Sequence, residues 1–234
     1  MKIFITGVSR GLGKALMNEF MERGHSVWGV TRGKIEVCKA DNFIYSKCDI
    51  SNPEEVRKVS QEMIQKGFIP DIIVLNAGYA VDDVNYSIEY EKLKENFNIN
   101  LFGSLNWVNE FLPIYLKAGK GTFAAISSLS IYRENHQNRI GYSASKLALN
   151  KIFENLRMQY YYSGVKFIIF CAGRMAAGKS FIGITYSDAA KLIVDNLTSG
   201  KNNNRTIDFP LIQSYLTRLT RLIPEIVFKK YILK

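Results

Sequence analysis

The sequence is short of cysteine, histidine and acidic residues, and it has no long apolar run. Cys38, Cys48 and Cys171 lie too far apart for a CxxC metal or redox motif, and an odd number argues against a disulfide framework. They read as buried thiols of a protein in a reducing cytoplasm. His25 and His136 have no neighbouring ligand set, which argues against a metal site. Gly7 comes too early for the apolar core of a signal peptide, and no later stretch approaches the roughly 20 apolar residues of a membrane span. A soluble protein is expected.

The shortage of acids leaves 31 basic residues against 21 acidic ones and a net charge of +10. Half of the excess lies beyond residue 200, where Lys201, Arg205, Arg218, Arg221, Lys229, Lys230 and Lys234 face Asp208 and Glu225. Nucleic acid is a poor match: no binding module is present, and the tail's charges alternate with apolar residues at helical spacing instead of forming a basic stripe.

The 234 residues suit a single α/β domain. Lys2 to Thr6 is an apolar run, followed by Gly7-Val8-Ser9-Arg10-Gly11-Leu12-Gly13 and a helical pattern to about Arg23. Such a strand, glycine turn and helix bring backbone amides and a helix N-terminus to a phosphate, although the spacing is G-xxx-G-x-G and not G-x-G-xx-G. A second strand, His25 to Thr31, ends at Arg32. An acid there would take ribose hydroxyls; an arginine pairs with a 2′-phosphate, so NADP(H) is favoured over NAD(H). Phe43 to Cys48 leads through Asp49 into a helix from Pro53 to about Gln65, and Asp71 to Leu75 ends in Asn76-Ala77-Gly78. Continuous apolar runs of this kind mark strands buried on both faces of a parallel sheet. Further strands are expected at 121–126, 165–171 and 206–209 and helices at 90–116 and 187–197, giving a doubly wound α/β sheet of about seven strands. Asn96, Asn98 and Asn100 inside the 90–116 helix are unusual, because their amides compete for backbone partners. Beyond Pro210, residues 211–234 form a basic amphipathic tail that Pro224 should end or kink.

Tyr142 and Lys146 stand four apart in Tyr-Ser-Ala-Ser-Lys, on one face of a helix, where an ammonium favours ionisation of the phenol. Tyr90/Lys94 and Tyr162/Lys166 share the spacing, but only the Tyr142 pair follows a strand ending in Ser127-Ser128, whose hydroxyls suit polarising a substrate oxygen.

Taken in order, Thr6-Gly7-xxx-Gly11-x-Gly13, Asp49, Asn76-Ala77-Gly78, Asn100, Ser128, Tyr142 and Lys146 resemble the short-chain dehydrogenase/reductase family in its compact branch, over roughly residues 2–209. The resemblance implies a Rossmann fold and an NADP(H)-dependent oxidoreductase that interconverts a carbonyl and a secondary alcohol. Tyr142 would be the general acid and base, Lys146 would lower its pKa and hold the nicotinamide ribose, Ser128 would bond the substrate oxygen, and Asn100 would hold a water. Gly7, Ser9, Arg10, Gly11, Leu12 and Gly13 would wrap the phosphates. Arg32, Asp49, Ile50, Asn76, Ala77, Gly78, Gly173 and Met175 would line the rest of the cofactor site. A dimer or tetramer paired through the long helices is implied.

The chain departs from the family in places. Ser128 precedes Tyr142 by fourteen residues, one more than usual, so Ser127 or Ser130 are alternatives. Ala172-Gly173 replaces Pro-Gly, Ala177 replaces a threonine, and the stretch after Gly173 is short, so the pocket is either open or covered by residues 211–234. That tail is read as a helix packed on the sheet or a partner subunit, or as an interfacial element touching an anionic membrane. The rival readings are a catalytically silent cofactor-binding sensor or scaffold, and an epimerase or dehydratase of the longer branch, for whose substrate domain the chain has no room.

Overall fold

Each apolar run read as a strand pairs into one parallel sheet of seven in a computed structural model, which describes residues 1–33, 40–80, 89–133, 139–176, 183–200 and 204–231. Cys38, His136, Ala177 and residues 81–88 and 201–203 lie outside these residues. The elements run β1 (Lys2–Thr6), α1 (Gly11–Glu22), β2 (Ser26–Thr31), β3 (Phe43–Lys47), α2 (Pro53–Gln65), β4 (Ile72–Leu75), α3 (Tyr90–Phe97) and α4 (Gly103–Ala118). They continue with β5 (Gly121–Ser128), α5 (Ile140–Gln159), β6 (Val165–Ala172), the two-residue strands β7 (Met175–Ala176) and β8 (Ile184–Thr185), α6 (Tyr186–Thr198), β9 (Thr206–Phe209), α7 (Leu211–Thr220) and α8 (Glu225–Tyr231). The β7–β8 ribbon was not expected from the sequence; it pairs Met175 with Ile184.

The sheet order is β3-β2-β1-β4-β5-β6-β9, so the winding reverses between β1 and β4 and opens a crevice at their carboxyl ends. Alternate residues of the central strands feed two cores. Phe4, Ile73 and Leu75 pack with α2, α4 and α5, whereas Ile3, Ile5, Ile72 and Val74 pack with α1 and α6. This explains why the strands read as unbroken apolar runs. Burial on the first face is dominated by aromatics: Trp107 lies 4.2 Å from Phe4 and 6.4 Å from Phe111, and Tyr115 lies 6.3 Å from Phe111 and 4.9 Å from Phe123.

The helix expected over 90–116 is interrupted. Asn98–Phe102 adopts π-helical geometry between α3 and α4. The wider turn accommodates Asn100, whose amide bonds outside its own helix, and this is the competition for backbone partners that the asparagines signalled. α2 starts as expected: the Asn52 side chain accepts from the amides of Glu54 and Glu55, with Pro53 in the first turn.

Phe111 is fully buried in the aromatic row. Phe111→Ala is expected to cost about 3–5 kcal/mol of unfolding free energy, read as a fall in the urea midpoint with an unchanged slope; a loss below a tenth of that would show that the row does not carry the core.

Candidate active site

The crevice is built by close backbone approach. Thr6 Oγ1 accepts from the amides of Asn76 and Ala77, both at 3.0 Å, and Asn76 Nδ2 returns bonds to the carbonyls of Thr6 at 3.0 Å and Gly7 at 3.2 Å. Gly7 has φ of +78°, and a Cβ on Gly13 would stand 2.0 Å from the Gly7 carbonyl oxygen. Only glycine permits the turn and the crossing. Arg10 precedes α1 with no side-chain cap, and the first turn holds no acid, so the helix presents its amides to the crevice. α6, in contrast, is capped by Thr185.

A cleft of about 970 Å³ runs along the carboxyl edge of the sheet. It brings together Gly7, Ser9, Arg10, Gly11, Leu12, Gly13, Arg32, Asp49, Ile50, Asn76, Ala77, Gly78, Ser128, Tyr142, Lys146, Gly173 and Met175, which are all the expected site residues except Asn100. Among the described residues that line the cleft Asp49 is the only acid; its carboxylate accepts from the amide and hydroxyl of Ser51. The backbone of Ile50 is held by Asn106, which donates to its carbonyl at 2.9 Å.

Asn100 sits behind the cleft wall. It is fully buried, accepts from the Tyr79 amide at 2.7 Å, and donates to the Tyr79 carbonyl and Ser145 Oγ, each at 2.9 Å. Ser145 in turn donates to the Tyr142 carbonyl at 2.8 Å. Asn100 thus ties the turn after β4 to the first turns of α5, and it flanks Gly78 together with Lys146 Nζ. Lys146 itself is almost wholly buried; its ammonium donates to the Ile126 carbonyl at 2.7 Å, and burial lowers its pKa from 10.5 to about 8.

Ser127, Ser128 and Ser130 all line the cleft. Ser128 Oγ accepts from the Ser130 amide at 3.1 Å, which leaves its hydrogen to donate, while the Ser127 and Ser130 hydroxyls are buried and make no hydrogen bond. Beside the stretch after Gly173, Gln213 and Thr217 of α7 line the cleft, and Gln213 Oε1 accepts from the Arg174 amide at 2.8 Å.

The tail is fastened to the segment after β5. Arg133 donates to the carbonyls of Thr220 and, at 2.9 Å, Ile223, and its guanidinium lies 4.1 Å from the Phe228 ring centre. Asp208 receives Arg218 at 2.6 Å, Ser214 at 3.0 Å and Tyr132 at 3.2 Å. The sequence reading missed Tyr132, Arg133, Gln213 and Thr217. The partners of Tyr132 and Arg133 lie 76 to 90 residues away and that of Gln213 lies 39 away, beyond the reach of spacing, although Gln213 is a polar interruption in an otherwise readable helical pattern.

The profile described as short chain dehydrogenase matches residues 1–180. The chain belongs to the short-chain dehydrogenase family. It is 30% identical over 134 residues to an NADPH-dependent pterin aldehyde reductase of Arabidopsis thaliana, covering 54% of this chain and 55% of that one. It is 29% identical over 178 residues to a 3-ketodihydrosphingosine reductase of Bacteroides thetaiotaomicron, covering 75% of this chain and 64% of that one. The matched stretches therefore span between half and two thirds of these relatives' own lengths. A short chain dehydrogenase of Leptospira borgpetersenii with bound NAD+ shares the fold, with a TM-score of 0.79 at 18% identity over 88% of this chain and 90% of that one.

For this short-chain dehydrogenase the buried lysine has a cost with a defined pH dependence. The folded pKa of about 8 lies below the unfolded 10.5, so the unfolded chain binds the proton better between the two. The destabilisation is full below about pH 8 and disappears as pH rises toward 10.5. Lys146→Met should gain on the wild type by about 3 kcal/mol more at neutral pH than at the upper end of that window, measured by chemical unfolding of the ligand-free proteins. A difference that stays flat with pH would refute the shift.

Proposed function

We propose that the protein is an NADP(H)-dependent oxidoreductase that interconverts a carbonyl and a secondary alcohol. The observation that carries the reading is the convergence in one cleft of the uncapped α1 N-terminus, Arg10 and Arg32 at one end with Ser128, Tyr142 and the buried Lys146 at the other. The residues fit a dinucleotide. Backbone amides of 7–13 meet its phosphates where a Cβ on Gly13 would collide, and Arg32, at the place where an acid would select unphosphorylated ribose, pairs with a 2′-phosphate. Relatives bear out the class without deciding the phosphate: the Arabidopsis enzyme is named for NADPH, and the Leptospira enzyme holds NAD+.

A dinucleotide held by the glycine turn and Arg32 would supply the hydride for the carbonyl carbon. Tyr142 then gives its hydroxyl proton to the carbonyl oxygen in reduction and takes a proton from the alcohol in oxidation. Lys146, charged when protonated and poised near neutrality, favours the phenolate that remains after that transfer. Ser128 donates its hydrogen to the substrate oxygen, and Asn100 positions the Tyr79 turn and the Tyr142 turn relative to each other. A water held near Asn100 would pass a proton from solvent back to the phenolate after reduction and carry one out to solvent after oxidation.

We take residues 1–210 as the catalytic unit and 211–234 as its appended wall. Two copies are proposed to pair across α4 and α5, where Phe102, just before α4, and Leu147 of α5 are each 52% exposed. Cys48 and Cys171 are free buried thiols with pKa values pushed up to about 12 by burial, which suits a reducing cytoplasm.

Calorimetric titration tests the cofactor: NADPH should bind at least about tenfold tighter than NADH, an advantage Arg32→Ala removes. Tyr142→Phe should keep NADPH affinity and lower kcat about a hundredfold or more with carbonyl substrates. Cofactor binding without turnover on any carbonyl would instead indicate the sensor.

A further inference from the structure

We infer that α7 and α8 form a docking surface for an anionic lipid bilayer, seated beside the mouth of the cleft. α7 is amphipathic, but it is turned inside out. Its buried residues are Ser214 and Thr217, whereas Leu211, Ile212, Tyr215, Leu216 and Leu219 are between 50% and 68% exposed. The stripe continues past Thr220, with Leu222 at 80% and Ile226 at 83%. A helix dissolved in water ordinarily faces the other way, since apolar surface exposed to water costs free energy in proportion to its area.

The inversion is fixed by polar bonds. Ser214 and Arg218 hold Asp208, Gln213 holds the Arg174 amide, and Arg133 grips the carbonyls at the end of α7. Rotating the apolar stripe inward would break every one of them and bury their donors and acceptors unpaired. The stripe therefore stays outside and calls for an apolar partner.

Charge selects the partner. Residues 211–234 carry Arg218, Arg221, Lys229, Lys230 and Lys234 against Glu225. Asp208 neutralises Arg218, which leaves exposed Arg221 to meet an opposite charge, and the sequence adds Lys229, Lys230 and Lys234 over its last six residues. A second copy placed stripe to stripe would bring two basic segments together, which is unfavourable. A bilayer with anionic headgroups accepts both features at once, as interfacial amphipathic helices do. Among the described residues no helix is long and apolar enough to cross a membrane, so the pair lies in the surface plane. Gln213 and Thr217 line the cleft from the same helix, so docking sets the cleft mouth at the level of the headgroups and favours an amphiphilic carbonyl substrate. The docking itself is independent of the hydride-transfer reading.

The test is flotation of the full chain with vesicles of phosphatidylcholine alone and of phosphatidylcholine mixed with phosphatidylglycerol. The wild type should float with the mixed vesicles and be released by high salt. Leu216→Glu/Leu219→Glu, at positions already exposed, should lower the bound fraction about tenfold or more. Met158→Glu/Tyr162→Glu, exposed apolar positions in the last turn of α5 and just beyond its C-terminal end, should float as the wild type does. Arg221→Glu, which leaves the stripe intact, should weaken binding to the mixed vesicles even if the leucine variant unfolds. Equal flotation of wild type and both tail variants, or no flotation of the wild type, overturns the proposal. So does a concentration-dependent oligomer in sedimentation velocity that the leucine variant dissociates, since that makes the stripe a contact between copies.

Discussion

A threonine hydroxyl at the end of β1 is the contact on which the site depends. Thr6 is buried, and its oxygen accepts from two successive amides of the turn after β4. The two central strands diverge beyond this point, and without the hydroxyl their ends would hold buried amides with no partner. Fixing them there makes the next contacts possible. Asn76 can cross back to β1, Gly13 can pass against Gly7, and Gly78 stands between Asn100 and Lys146. The crevice at the reversal of the sheet is therefore a pinned opening, and the residues that read as cofactor-binding are mostly those that approach the pin.

Stability and chemistry are supplied by different parts of the molecule. The aromatic row on one face of the sheet and the apolar layer under α1 and α6 bury large side chains with few polar atoms, among them the Tyr115 hydroxyl, which donates to the Pro70 carbonyl, and Trp107 Nε1, which has no partner. The cleft edge does the opposite: it holds an ammonium in a poorly solvated place, two serine hydroxyls without partners and an uncapped helix end. Each of these is costly in the ligand-free fold and becomes useful only when a charged or polar ligand is present.

The fold was legible because the strands are buried on both faces, so that Ile72–Leu75 or Val165–Ala172 can be nothing but interior. The glycines were legible because close approach admits no other residue. Tyr142 and Lys146 were legible from a spacing that also occurs elsewhere, and only the strand and serines before them distinguished the pair. Asn100 was recognised, but its amide faces Tyr79 and Ser145 and not the cleft, because the π-helical stretch redirects it, and no pattern of residues announces that geometry. The tail's amphipathic stripe was equally plain, yet periodicity says only that a helix has two faces. Which face turns inward was decided by Asp208 and Arg133, whose claims on α7 outweigh the apolar stripe.

Arg133 gives this arrangement a direction in time. It lies in the segment between β5 and α5, but the carbonyls it grips belong to Thr220 and Ile223, made almost ninety residues later. During synthesis the sheet as far as β6 can form while Arg133 still lacks the groups that will engage it. The cleft acquires its outer wall only when α7 leaves the ribosome, so the rim of the cleft that Gln213 and Thr217 form is the last to be assembled, and a nascent chain that has every residue of the glycine turn, Ser128, Tyr142 and Lys146 still lacks a finished pocket.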